Sequence, residues 1–172
     1  MAAVYIALGA NLSNPKNTFS AAVQSLESVG CFEQARSALW QSPAWPAGRG
    51  QPDYINACLK INYQGSPRDL LTNLQKVEAQ YGRVSGARNA ARSLDLDILD
   101  FGGVVMRSKD LQLPHPRMLS RGFVLFPLAE IAPDWTDPVS GAAIEHWIAR
   151  LPLVDVAPMR RLGPWRGISR SY

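Results

Sequence analysis

Arg92-Ser93-Leu94-Asp95-Leu96-Asp97-Ile98 alternates apolar and acidic residues with the two-residue period of a half-buried β-strand. On such a strand Asp95 and Asp97 point to the same face, roughly 7 Å apart along the chain. Two carboxylates held that close repel, and a shared cation is the usual reason for them to coexist. Hard oxygen ligands on a rigid strand suit Mg²⁺, which takes one or two protein carboxylates and completes its shell with water and substrate phosphates. Immediately upstream, residues 82–92 are rich in Gly, Ala and Ser and carry Arg83, Arg88 and Arg92 with no acid. Carboxylates for a metal beside arginines for phosphate point to phosphoryl-transfer chemistry.

Working outward, residues 4–8 read as a short apolar strand followed by a loop over 9–13. Asn14-Pro15 reads as an N-cap followed by a first-turn proline. Phe19, Ala22, Val23, Leu26 and Val29 then recur at helical spacing up to Gly30. A strand is expected over 32–40, a Pro/Gly loop over 43–52 and another strand over 54–63. Ser66-Pro67 opens a second helix with Leu70, Leu71, Leu74, Val77 and Tyr81 on one face, closed by Gly82. After the acidic strand, Phe101-Gly102-Gly103-Val104 reads as a tight hairpin turn into a sixth strand. The order is that of a split βαβ unit, so an α/β (α+β) fold with a ferredoxin-like βαββαβ core and an antiparallel sheet is expected. Further helices are expected over 116–131 and 142–151. Residues 1–151 would form the working domain and 152–172 an irregular C-terminal tail.

The composition fits a globular chain of 172 residues, 47% hydrophobic and 19% charged, with a net charge of +4. Arginine dominates the basic residues, which favours bidentate phosphate recognition over a diffuse polybasic surface. Cys31 and Cys58 lie far apart without Cys-x-x-Cys spacing and read as reduced core residues of a cytoplasmic protein. No apolar run approaches membrane-spanning length, Met1 stands almost directly before the first strand, and no signal peptide is expected. The sequence contains neither a P-loop nor a Gly-x-Gly-x-x-Gly fingerprint. His115 and His146 sit in no zinc-ligand spacing. Pro114 and Pro116 flank His115 and fix its backbone, so this turn is either a plain connector or a device that holds an imidazole in place.

Several motifs in order carry a resemblance. They are the run from Tyr5 to Leu12, Gln51-Pro-Asp-Tyr-Ile-Asn-Ala57, Glu78 with Gly82-Arg83, Arg92-Ser-Leu-Asp-Leu-Asp-Ile98, Leu113-Pro-His-Pro116 and Arg121-Gly-Phe-Val-Leu125. Together, from Tyr5 to about Pro133, they resemble the 6-hydroxymethyl-7,8-dihydropterin pyrophosphokinases of folate biosynthesis. The resemblance implies a ferredoxin-like core and transfer of pyrophosphate from ATP to the pterin hydroxymethyl group, releasing AMP. It implies that Asp95 and Asp97 hold two Mg²⁺ ions, that Arg83, Arg92 and Arg121 contact phosphate, and that Gln75, Glu78, Arg88, Ile98 and His115 belong to the ATP-binding set. Arg83, Arg92, Asp95 and Asp97 would be the catalytic set. Tyr54 and Phe123 match the family's aromatic sandwich around the pterin, Asn56 a hydrogen-bonding position, and Ser42, Pro43 and Trp45 other parts of the pterin wall. The expected partners are ATP and the dihydropterin, with no nucleic acid and no membrane, acting on a monomer.

The chain departs from the family at Arg88-Asn89-Ala90-Ala91, where many relatives carry a tryptophan, a glycine and a proline, and at Ser85, near a position where some have arginine. On this reading residues 83–92 form a lid over ATP, and Trp45 partly replaces the lid tryptophan. An RNA-recognition module has the same element order and a motif similar to Arg121-Gly-Phe-Val-Leu-Phe126. Val124 and Leu125 break that motif, and the acidic pair would repel a nucleic-acid backbone.

Overall fold

The structure, a computed structural model, describes residues 3–11, 14–44, 50, 52–81 and 94–166. The first strand, β1 (Ala3–Ala10), is followed by the helix α1 (Pro15–Ser28). Asn14 caps α1, its side-chain oxygen accepting the Asn17 N–H at 3.3 Å. Two strands follow, β2 (Phe32–Arg36) and β3 (Leu39–Ser42), then β4 (Tyr54–Asn62). The second helix, α2 (Pro67–Gln80), opens on a reciprocal capping box between Ser66 and Asp69. The acidic strand is β5 (Asp95–Phe101). A small hairpin of β6 (Met106–Arg107) and β7 (Gln112–Leu113) leads to a 3-10 turn over 118–120 and the helix α3 (Gly122–Ile131). The chain continues through α4 (Ile144–Ile148), α5 (Leu153–Val156) and β8 (Arg160–Gly163).

The main sheet runs in the order β5-β1-β4-β3-β8, with β2 beside β3 on β4, and every pairing in it is antiparallel. With β2 and β3 taken as halves of one broken strand, β1 lies between β4 and β5, as the element order predicts. The helices α1 and α2 cover one face. Phe19, Leu26, Leu70, Leu74 and Val77 pack there on Ile6, Leu8, Leu59, Ile61, Leu96 and Ile98. The opposite face carries Tyr5, Cys58 and Leu99 under Met118, Leu125, Leu128 and Trp135. Cys31 and Cys58 are both free and buried, as the sequence suggests.

Several expectations are corrected. The first strand reaches Ala10 rather than ending at Leu8. The strand expected over 32–40 is broken by a one-residue bulge: Arg36 pairs with Leu59 but Trp40 with Asn56, so four steps on one strand match three on the other. The Gly102-Gly103 turn forms, both residues having positive φ, but the chain beyond it does not return along β5. Asp100 and the Ala3 carbonyl capture the Gly103 and Gly102 amides, and β6 pairs with β7 instead. The helix expected over 116–131 is split at Arg121, and the one over 142–151 is confined to α4. The stretch expected to be irregular from 152 onward contains α5 and β8, and β8 extends the sheet beside β3.

Candidate active site

The half of the second sheet face that carries the acids is built from three neighbouring strands in register. Asp97, Ala7 and Cys58 form one cross-strand row, and Asp95, Gly9 and Asn56 the next. Side chains on one strand face alternate, so the two acids lie on one side of a floor made by Ala7 and Gly9. Asn56, with Tyr54 beyond it, lies on the other. These residues line a cleft of about 400 Å³ together with Leu8, Ser42, Pro43, His115, Arg117, Arg121, Phe123 and Val124. The single methyl of Ala7 and the absence of any side chain at Gly9 leave the floor low. A β-carbon added to Gly9 would sit 3.6 Å from Asn56 Oδ1, so the strand tolerates one, but only by raising that floor.

A bulge at Leu99 delivers His115 to the cleft. Ile98 pairs with Ile6 and Asp100 with Tyr5, which leaves Leu99 as the extra residue. Its carbonyl accepts the His115 N–H at 2.8 Å. The Arg117 backbone N–H donates to His115 Nδ1 at 3.2 Å, so the proton of the neutral ring belongs on Nε2. Nε2 faces Asp97 Oδ2 at 4.0 Å. Burial, with Arg121 and then Arg117 adding to it, pushes the His115 pKa down to about 4 against an opposing pull from Asp95. The imidazole is therefore a neutral N–H donor at neutral pH.

Arg121 stands where the 3-10 turn meets α3, with extended rather than helical backbone and no capping bond from its side chain. The guanidinium lies over the Phe123 ring, 5.5 Å from its centroid. Burial first and Arg117 second lower its pKa, while Asp97 and Asp95 oppose the shift. Arginines, imidazole and carboxylates thus share one electrostatic neighbourhood. On the other wall, Asn56 is buried and donates through Nδ2 to Ser42 Oγ at 2.9 Å, with a longer contact to the Trp40 carbonyl at 3.5 Å. Its amide is thereby fixed with the carbonyl oxygen toward Gly9.

Of the residues singled out in the sequence, Ser42, Pro43, Tyr54, Asn56, Asp95, Asp97, His115, Arg121 and Phe123 come together around this cleft. Arg83, Arg88, Arg92 and Trp45 lie outside the described residues, as does the lid expected over 83–92. Gln75, Glu78 and Ile98 are not among the cleft's lining. Gln75 is exposed on α2, Ile98 is buried in the helix-side core, and the Glu78 carboxylate, 1% exposed, accepts the Leu96 N–H at 2.8 Å. The sequence reading missed Ala7, Gly9 and Arg117. Arg117 had a signal, since it follows the rigid Pro-His-Pro turn and must share its surroundings.

The donor set can be tested for a metal. Among the described residues no cluster of three or more His, Cys, Asp or Glu could hold an ion by itself. Two carboxylates facing an open, arginine-lined cleft instead suit a hard ion such as Mg²⁺, whose shell is completed by water and phosphate oxygens.

Residues 5–133 match the family described as 7,8-dihydro-6-hydroxymethylpterin-pyrophosphokinase (HPPK). The chain is 38% identical over 155 residues to the 2-amino-4-hydroxy-6-hydroxymethyldihydropteridine pyrophosphokinase of Synechocystis sp., covering 90% of this chain and 78% of that one. It is 39% identical to the Pseudomonas aeruginosa protein of the same name, covering 89% of this chain and 94% of its relative. A crystal structure of Plasmodium falciparum HPPK-DHPS shares the fold, with a TM-score of 0.68 at 11% identity, over 86% of this chain and 43% of that one. The motifs, the extent of the match and the shared fold agree, and the chain belongs to the 7,8-dihydro-6-hydroxymethylpterin-pyrophosphokinase family.

Proposed function

We propose that the cleft between the Asp95–Asp97 side and the Tyr54–Phe123 wall is where this chain carries out the reaction of its family. The chain is a pyrophosphokinase of folate biosynthesis, with ATP as co-substrate and 6-hydroxymethyl-7,8-dihydropterin as acceptor. Releasing AMP requires that the pterin hydroxyl oxygen bond to the β-phosphorus while the bond linking α- and β-phosphates breaks and the hydroxyl proton is lost. The observation that carries the reading is the arrangement of the two rows. Carboxylates stand on one side of a low floor, and a fixed amide with aromatic neighbours stands on the other.

Each side chain then has a task suited to its chemistry. Tyr54 and Phe123 sandwich the flat bicycle, and Asn56, held by Ser42, offers a directed hydrogen-bond acceptor to its edge. Pro43 and Trp45 complete that wall. Arg121 and Arg117 supply charge to the triphosphate and His115 a neutral donor, with Arg83, Arg88 and Arg92 adding to the same charge. Gln75, Glu78 and Ile98 serve the nucleotide side. Asp95 and Asp97 would hold the Mg²⁺, two ions on this reading, which when bound neutralises and polarises phosphate oxygens. The remaining work is positioning, since such a transition state spreads charge over oxygens that fixed groups can meet.

The enzyme would act as a cytoplasmic monomer without nucleic acid or membrane. Among the described residues no helix is long and apolar enough to cross a membrane. Purified protein given ATP, Mg²⁺ and the dihydropterin should release AMP in step with pterin diphosphate, and chelating the metal should stop both. AMP formed without a pterin product would contradict the reading.

A further inference from the structure

The bulge between β2 and β3 decides which side chains of β3 face the cleft. Trp40 pairs with Asn56 and Ser42 with Tyr54, so both lie on the cleft face while Gln41 lies on the other. Without the extra residue the alternation would reverse, and Ser42 would leave Asn56. The bulge also disturbs the ladder. Ser37 N–H still reaches the Cys58 carbonyl at 2.9 Å, but the Cys58 N–H is accepted by the Ser37 hydroxyl, also at 2.9 Å, instead of a backbone carbonyl. The Ser37 carbonyl and the Ala38 N–H are thereby left to find partners elsewhere.

Both find them outside the sheet. The Trp165 indole N–H donates to the Ser37 carbonyl at 2.9 Å. That indole is buried against Phe19, with the Arg36 guanidinium 4.3 Å from its ring centroid. The Ala38 N–H donates to Glu130 Oε2 of α3 at 2.8 Å. Glu130 Oε1 accepts from Trp40 Nε1 at 3.0 Å and from Arg161 Nε of β8 at 2.7 Å. Trp40 itself is stacked on Phe126 of α3. Trp165 and Arg161 lie beyond the family match, which ends at residue 133.

We propose that Trp165 and Glu130 are positioning residues for the substrate wall, fixing the β3 register that presents Ser42 to Asn56. The proposal rests on the reading that this wall takes the pterin. Removing either contact leaves a bulge amide or carbonyl without its partner and loosens β3 where it meets the cleft, while the acidic side and its arginines stay in place.

Trp165→Phe keeps an aromatic ring in the buried site but deletes the indole donor along with part of the ring, and Glu130→Ala removes the acceptor of Ala38, Trp40 and Arg161. Binding of 6-hydroxymethylpterin and, separately, of a non-hydrolysable ATP analogue with Mg²⁺ can be measured by calorimetry, with Asn56→Ala as reference. Both variants should bind the pterin about three- to tenfold more weakly, the scale of one lost hydrogen bond, with nucleotide binding within about twofold. Glu130→Gln, which keeps an acceptor oxygen, should recover part of the loss. If Asn56→Ala weakens the pterin but Trp165→Phe and Glu130→Ala leave it unchanged, or weaken both ligands equally, the positioning role is wrong. If Asn56→Ala itself leaves pterin binding unchanged, the wall is misassigned and this inference falls with it.

Discussion

The two faces of the sheet use the same strands for opposite ends. On the helix side, β5 contributes Leu96 and Ile98, β1 contributes Ile6 and Leu8, and β4 contributes Leu59 and Ile61, all sealed under α1 and α2. On the other side the same strands begin as core, with Tyr5, Leu99 and Cys58 beneath α3, and then change character. Moving along that face, Tyr5 gives way to Ala7 and Gly9, Leu99 to Asp97 and Asp95, and Cys58 to Asn56 and Tyr54. Burial on the first face stabilises the fold, and the second face spends that stability on a row of acids and a floor that no described residue covers. The difference teaches that a packed face can hold repelling carboxylates close together on its reverse.

The sharpest break in that comparison is Asp95→Asn, which preserves shape and removes charge. Turnover should fall by at least about a hundredfold, the scale of losing a metal or oxyanion-type electrostatic contact. Thermal stability should hold or rise, since the repulsion from Asp97 is relieved. Near-normal AMP release at saturating Mg²⁺ would dissociate the acids from the chemistry. On the helix face, Leu59→Ala should instead lower unfolding free energy by about 2–5 kcal/mol, as deletions of fully buried leucines do. Calorimetric unfolding checks it, and a loss below about 1 kcal/mol would show that face to be loosely packed.

A pH series probes the boundary between the faces. Folded His115 titrates at about 4 against 6.5 when unperturbed, so between those values the unfolded chain binds more protons. Stability of the ligand-free protein should therefore fall as pH drops from about 6.5 to about 4, by up to about 3 kcal/mol for this group. His115→Gln should remove that share of the slope. Equal slopes in wild type and variant would contradict the neutral, buried imidazole. The smallest expected effect is on binding: Tyr54→Ala or Phe123→Ala should weaken the pterin by about 1 kcal/mol, the scale of one aromatic stack, with nucleotide affinity nearly unchanged. Equal losses for both ligands would point to general damage of the wall.

How far the sequence could be read follows from these same strands. The alternation at 94–98 fixes which face carries the acids, because burial on one side of a strand leaves a period-two record. That record stops at Leu99, where the bulge inserts a residue among apolar neighbours that look alike on either face. The break at Ser37-Ala38 is hidden for a different reason. Its partners, Glu130 and Trp165, are 92 and 128 residues away from the groups they hold. Residues 160–163 form a strand by pairing with β3 rather than by burial, so Arg160-Arg161-Leu162-Gly163 leaves no pattern to find. The motifs locate Asp95, Asp97, Tyr54 and Asn56. The floor of Ala7 and Gly9 emerges only from register, since small residues carry no chemistry by themselves.

Leu96 and Asp97 are adjacent in sequence and face opposite sides of one strand. The most direct test of the account measures unfolding temperature and AMP release for Leu96→Ala and Asp97→Asn side by side. Leu96→Ala should unfold several degrees lower and retain most of its turnover per folded molecule at 25 °C, while Asp97→Asn should keep its unfolding temperature and lose turnover by at least about a hundredfold. If the two variants moved both quantities together, the separation of stability and chemistry between the faces would be contradicted.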